Sequence, residues 1–175
     1  MAEVSLFIAA SLDGFTADPE GGIGWLFTDE DYGYEAFFAS VGALVMGRRT
    51  YEHVLGYGAW PYGSTPAIVL TTKSSMSAAA PSVSFTSGQP VDILQTLDMP
   101  QGKKLWLAAG AQGASDFARA GLIDEVVLSI HPVLLGGGAP LFEEPRPRQD
   151  LDLVDSRSYE SGLVQLTYRR KTGRI

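Results

Sequence analysis

The sequence predicts an α/β domain in three layers, with a mixed and mostly parallel central sheet and helices on both of its faces. Three observations carry that prediction. Short apolar runs alternate with segments of helical period along most of the chain, as successive parallel strands and crossover helices do. The glycine- and proline-rich stretches between them (18–24, 56–66, 136–147) are loops, none of them long enough to be a domain linker, so residues 1–175 read as a single domain. The last quarter then switches to strict alternation, which fits an antiparallel hairpin added to the sheet.

The elements follow in order. Residues 4–10 form an apolar run that stops at Asp13-Gly14. The run lacks a preceding basic segment and is too short to span a membrane, so it reads as a first buried strand of a cytoplasmic protein. Residues 29–40 lead Tyr34, Phe37, Phe38 and Val41 past at helical spacing, with Thr28 or Asp29 as the cap. A strand over 43–46 runs into a short helix over 50–55. Strands over 67–70 and 83–85 precede a helix over 91–97, which Pro90 suits as a first-turn residue. A strand over 105–109 precedes a helix over 111–120, with Ala114, Phe117 and Ala118 on one face and Gly121 as its terminating glycine. A strand over 125–130 follows. Residues 152–159 and 162–169 then alternate around Glu160-Ser161-Gly162.

Composition narrows the function classes. Hydrophobic residues make up 45% and charged residues 19%, which is globular rather than disordered. A net charge of −7 argues against nucleic acid and against an anionic membrane surface as partners. Without cysteine, disulfides, thiolate catalysis and cysteine-held metal are excluded. The two histidines, His53 and His131, are far apart in sequence, so no metal site is expected.

Three strand ends carry candidate chemistry. In Val45-Met46-Gly47-Arg48-Arg49-Thr50-Tyr51-Glu52 an apolar run stops at a glycine, and two arginines and a threonine follow where a helix begins. Backbone N–H groups, a hydroxyl and two guanidinium groups suit an anion, most simply the phosphates of a cofactor. A plain strand–helix junction with solvated arginines fits the same residues. Ile68-Val69-Leu70 runs into Thr71-Thr72-Lys73, suited to a ribose or its phosphate, or to an ordinary polar loop. Leu107-Ala108-Ala109-Gly110-Ala111-Gln112 passes from strand to helix through small residues, where a backbone can approach a pyrophosphate. No G-x-G-x-x-G fingerprint is present. All three fall at C-terminal ends of predicted parallel strands, the edge at which open α/β sheets bind ligands.

Taken together these residues resemble the dihydrofolate reductase-like superfamily. The nearest likeness is to the C-terminal reductase domain of the bifunctional riboflavin-biosynthesis deaminase/reductase and its stand-alone bacterial relatives. The likeness is carried by Ala10-Ser11-Leu12-Asp13-Gly14-Phe15, by the Gly47 to Glu52 segment, by Ala109-Gly110, by Gly121-Leu122-Ile123-Asp124-Glu125, and by His131-Pro132-Val133-Leu134-Leu135-Gly136-Gly137-Gly138 leading to Pro140-Leu141-Phe142. It implies an NADPH-dependent reductase acting on a small heterocycle, of the 5-amino-6-(5-phosphoribosylamino)uracil reductase or dihydrofolate reductase type. Gly47, Arg48, Arg49 and Thr50 would hold the cofactor's phosphates, and Thr71, Thr72 and Lys73 its adenosine ribose and 2′-phosphate. Gly110, Ala111 and Gln112 would meet the pyrophosphate, and Ala9 and Ala10 would line the nicotinamide pocket. Where the family has a Gly-Gly pair this chain has Ala109-Gly110, so a methyl group is expected to crowd the cofactor or strain the backbone. Relatives of this type tend to be dimers, which makes a homodimer through the C-terminal hairpin an open expectation.

The resemblance also offers catalytic residues. Asp31 stands where folate-reducing members place an acid on the first helix, and Ser129 where they place a supporting hydroxyl. A carboxylate there would hydrogen-bond the heterocycle and help deliver a proton. The plainer reading of Asp29, Glu30 and Asp31 is a run that suits any helix start. Asp13 and Trp25 are substrate-binding candidates: Asp13 as an acid over the nicotinamide or simply a turn residue, Trp25 as a stacking ring or a loop anchor. A pyrimidine and a pterin are the two leading substrates. A protein that binds a nucleotide or heterocycle without turnover is the alternative.

Overall fold

The computed structural model describes residues 2–145 and 148–171. Eight strands form one sheet. In chain order its elements are β1 (Glu3–Ser11), β3 (Val41–Gly47), β4 (Ala67–Leu70), β5 (Val83–Thr86), β6 (Lys104–Leu107), β7 (Glu125–His131), β9 (Leu151–Ser158) and β10 (Val164–Arg170). Across the sheet the order is β5-β4-β3-β6-β1-β7-β10-β9. The first six of these positions are parallel, and β10 and β9 close that side as an antiparallel pair. Two short strands, β2 (Phe15–Ala17) and β8 (Ala139–Pro140), pair with each other over the loops that leave β1 and β7.

The four helices are α1 (Tyr34–Ala39), α2 (Arg48–Gly56), α3 (Pro90–Thr96) and α4 (Ala111–Arg119). They divide between the two faces because alternate strand residues point opposite ways. On one face Leu44, Met46, Val69 and Trp106 pack with Tyr51 of α2 and with Tyr34, Phe37 and Phe38 of α1. On the other, Val4, Leu6, Val45, Leu105 and Leu107 pack with Ile93 of α3 and with Ala114 and Phe117 of α4. The helix ends obey local rules. Pro90 opens α3. Gly121 (φ 66°) closes α4 in a Schellman motif, with Gly121 N–H donating to Ala118 C=O and Leu122 N–H to Phe117 C=O.

Two boundaries differ from expectation. α2 starts at Arg48, not Thr50, so both arginines lie in its first turn. α1 starts only at Tyr34, because Tyr32 (φ 51°) and Gly33 (φ 79°) are both left-handed and interrupt the helix that composition suggests from residue 29.

At the N-terminal side of the sheet, Glu125 is buried at the start of β7. It accepts from Ser5 Oγ at 2.8 Å and Lys104 Nζ at 2.7 Å, and Arg169 approaches at 3.5 Å. Burial works against its charge, yet the Lys104 and Ser5 bonds and the two cations prevail and hold its carboxyl below the usual range.

Candidate cofactor cradle and acid site

β3 and β6 are neighbours, yet α2 leaves β3 toward one face and α4 leaves β6 toward the other. That divergence opens a crevice at the C-terminal edge of the sheet, the general location of ligands in open α/β folds. Both helix starts face it. The N-caps are Gly47 and Gly110, neither helix has a side-chain cap, and neither has an acid in its first turn. The first N–H groups of both are thus left for another acceptor, and two positive helix ends converge. A Cβ built on Gly110 would point at Thr50 Oγ1, 3.9 Å away, so the two segments line one gap. Ala108 N–H donates to Val45 C=O at 2.9 Å and fixes their separation.

The third segment is one strand further out. Leu70 pairs in register with Gly47, placing Thr71 beside the start of α2. Thr71 N–H donates to Thr86 C=O, and Lys73 N–H donates to Thr71 Oγ1 at 3.1 Å. Thr72 and Lys73 are exposed at this rim. Tyr51 secures the loop that follows: its hydroxyl donates to Ser77 C=O at 2.9 Å and accepts from Ala79 N–H at 2.8 Å. The sequence does not announce that role, since Tyr51 stands there only as a member of the Gly47 to Glu52 segment.

Arg48 is half-buried, and its Nη1 contacts both carboxylate oxygens of Glu52 at 2.7 Å. Arg49 is exposed, as is Gln112, whereas Ala111 is buried. Around a chain of net charge −7, Gly47 to Thr50, Thr71 to Lys73 and Ala109 to Gln112 contain three cations and no carboxylate. That donor set fits an extended, phosphorylated guest. From β4 to β1 is three strand spacings, about 14 Å, enough to lay such a guest across the edge.

Ala109 does not crowd the cradle. Its φ is not left-handed, and its side chain is 4% exposed within the core under α4. The room comes from Gly113, one helical turn on, where a Cβ would stand only 2.7 Å from that of Ala109.

Ala9 and Ala10 lie where β1 nears this edge, but they face opposite ways. Ala9 is in register with Ser129 on the α1 face, and Ala10, 2% exposed, is in register with Ile130 on the other. Ser129 is buried, and its Oγ accepts from Gln165 Nε2 at 3.1 Å. The same Nε2 donates to Tyr32 C=O at 2.9 Å. The turn carrying Asp31 therefore sits against Ser129 through one side chain that sequence reasoning missed. Asp31 itself is exposed, with Oδ1 accepting from Glu35 N–H at 3.0 Å, so it shapes the start of α1 as well.

Asp13 is committed to its loops. Oδ1 accepts from Ser11 Oγ (2.6 Å) and Leu135 N–H (3.1 Å), and Oδ2 accepts from Gly136 N–H (2.7 Å). The Ser11 bond, helped by the two N–H groups, holds its carboxyl below the usual range. Trp25 lies edge-on to His131, ring centres 5.1 Å apart, and its buried Nε1 has no partner among the described residues. His131 Nε2 accepts from Phe27 N–H at 3.2 Å, which pins the Trp25 loop to the end of β7. Burial lowers the His131 pKa. Asp13 and Trp25 thus both belong to loops gathered around the ends of β1 and β7.

This sheet order, crevice and C-terminal hairpin define a dihydrofolate reductase-like domain of the riboflavin-reductase type. The chain belongs to the RibD C-terminal domain family, whose model matches residues 2–165. It is 36% identical over 169 residues to the uncharacterized protein YwjB of Bacillus subtilis (strain 168), covering 94% of this chain and 96% of that one. Among solved structures it is similar to a putative riboflavin biosynthesis protein from Shewanella sp. PV-4, with TM-score 0.87 and 36% identity over 98% of this chain and 100% of that one. It also resembles a diaminohydroxyphosphoribosylaminopyrimidine deaminase/5-amino-6-(5-phosphoribosylamino)uracil reductase from Thermotoga maritima, with TM-score 0.73 and 18% identity over 97% of this chain and 57% of that one. The second likeness is one of fold.

Proposed function

We propose that this chain is an NADPH-dependent reductase that transfers hydride to a small heterocyclic or ribosylated substrate, to the ring of a pterin or to the ribosyl carbon of a ribosylaminopyrimidine of the riboflavin pathway. The observation that carries the reading is the pair of uncapped helix starts converging on the β3–β6 crevice, with cations and no carboxylate in the segments that line it. Arg48, Arg49 and Thr50 would take the phosphates, and the Gly110 backbone and the start of α4 the pyrophosphate. Thr71, Thr72 and Lys73 would hold the adenosine ribose and its 2′-phosphate. When bound, the reduced nicotinamide supplies the hydride. Ala9 and Ser129 would face the ring pair, and Asp31 would hold the heterocycle's N–H groups and help deliver the proton. Trp25 Nε1 and the Asp13 loop would border the same ring.

The test is a titration with NADPH and NADH followed by Trp fluorescence, then NADPH oxidation against dihydropterin and 5-amino-6-(5-phosphoribosylamino)uracil. The reading expects saturable NADPH binding, turnover of one of the two substrates, and a Lys73→Met variant that loses preference for NADPH over NADH. Binding of NADPH with no oxidation across the panel would favour a nucleotide-binding protein without turnover.

A further inference from the structure

We infer that Gln165 is a positioning residue, an amide that reaches from β10 to hold the Asp31 turn against Ser129 and so sets where the acid stands. The inference rests on the reductase reading and adds to it a residue remote in sequence from every other part of the site.

Gln165 faces Ser129 in the antiparallel register of β10 and β7, on the α1 side of the sheet. Both hydrogens of its Nε2 are used, one on Ser129 Oγ at 3.1 Å and one on Tyr32 C=O at 2.9 Å. The carbonyl of Tyr32 only accepts, so the amide orientation is fixed: turned over, Oε1 would face that oxygen. What it holds needs holding. Tyr32 is the described non-glycine residue with positive φ, and Gly33 follows it in the same region. Gly33 takes this conformation freely, but a tyrosine there is strained and persists where surrounding contacts over-determine it.

The hairpin supplies two further contacts, through Ser161 and Tyr159, and Asp29 supplies a local one. Tyr32 Oη bonds Asp29 Oδ1 at 2.7 Å and Ser161 Oγ at 2.9 Å, and its ring meets Tyr159 edge-on at 4.8 Å. Asp31 is the next residue back, and its C=O accepts from Tyr34 N–H at 3.1 Å. A shift of Tyr32 therefore moves Asp31 and the first turn of α1 together. Gln165 is set apart from the phosphate cradle, at the ends of β6, β3 and β4, by the intervening strands β7 and β1.

The experiment pairs hydrogen exchange with kinetics on the full chain. Gln165→Leu removes both donors at similar length. It should speed exchange of the amides of Tyr34 and Glu35 about thirtyfold, the worth of two ordinary hydrogen bonds, while β7 amides keep their protection. With NADPH and whichever of dihydropterin or 5-amino-6-(5-phosphoribosylamino)uracil the wild type reduces, kcat should fall about tenfold with the KM for NADPH unchanged. In an Asp31→Asn background the same change should add little further loss. Exchange at Tyr34 and Glu35 equal to wild type, a rise in NADPH KM, or losses that multiply with Asp31→Asn would each overturn the inference. If the wild type reduces neither substrate, the reductase reading fails, and exchange alone decides whether Gln165 holds the turn.

Discussion

On the reductase reading, Arg48 would serve two states. Here it is paired with Glu52 one helical turn on, an arrangement that contributes only about 0.3–0.5 kcal/mol on a helix surface. A phosphate at the start of α2 offers the same guanidinium a stronger, charge-assisted partner. Arg48→Ala should therefore weaken NADPH binding about tenfold while leaving the thermal midpoint within roughly a degree or two of wild type. Calorimetric titration and a melting curve on the same preparation check both halves. A large fall in midpoint would show that the arginine serves the fold instead.

At the scale of elements, the connection from β6 into α4 accommodates Ala109 because Gly113 stands opposite it. The sequence suggests that Ala109 intrudes on the cofactor; the structure buries its methyl under α4 and assigns the space to Gly113. Gly113→Ala should destabilise the protein by about 1–3 kcal/mol through overpacking, and Ala109→Gly in that background should restore most of it. Urea unfolding of the four combinations measures this, and additive effects would contradict it. The same scale shows what could be read in advance. Apolar runs at β1, β3, β4, β6 and β7 and the glycine after α4 have local causes, so their places were legible. The α1 start was not, because Tyr32 adopts a left-handed conformation and its contacts with Tyr159, Ser161 and Gln165 come from far along the chain. The β2–β8 pair is three and two residues long, below any periodicity a sequence window detects.

For the whole molecule, the ends of six parallel strands turn three weak motifs into one edge. That gathering was foreseeable from the alternation of strands and helices, whereas Gln165, Tyr51 and the Glu125 network join residues far apart in sequence and leave no local mark. His131 gives a pH prediction at this scale. Its folded pKa lies below the unfolded value of about 6.5, so the unfolded chain binds more protons as pH falls through that value. Stability should be full above about pH 6.5 and decline from there toward the lower folded pKa, as protonation also costs the Phe27 N–H bond. His131→Gln should flatten that part of a stability-against-pH curve measured by urea unfolding. An unchanged slope would mean another group titrates there. Among the described residues no helix is long and apolar enough to cross a membrane.

The most direct test of the account is the affinity of this chain for NADPH, titrated against wild type and Arg48→Ala by Trp fluorescence. The account predicts saturation well below millimolar for wild type, weaker binding of NADH, and about a tenfold loss in the variant. A wild type that shows no saturable response up to about millimolar NADPH would contradict it.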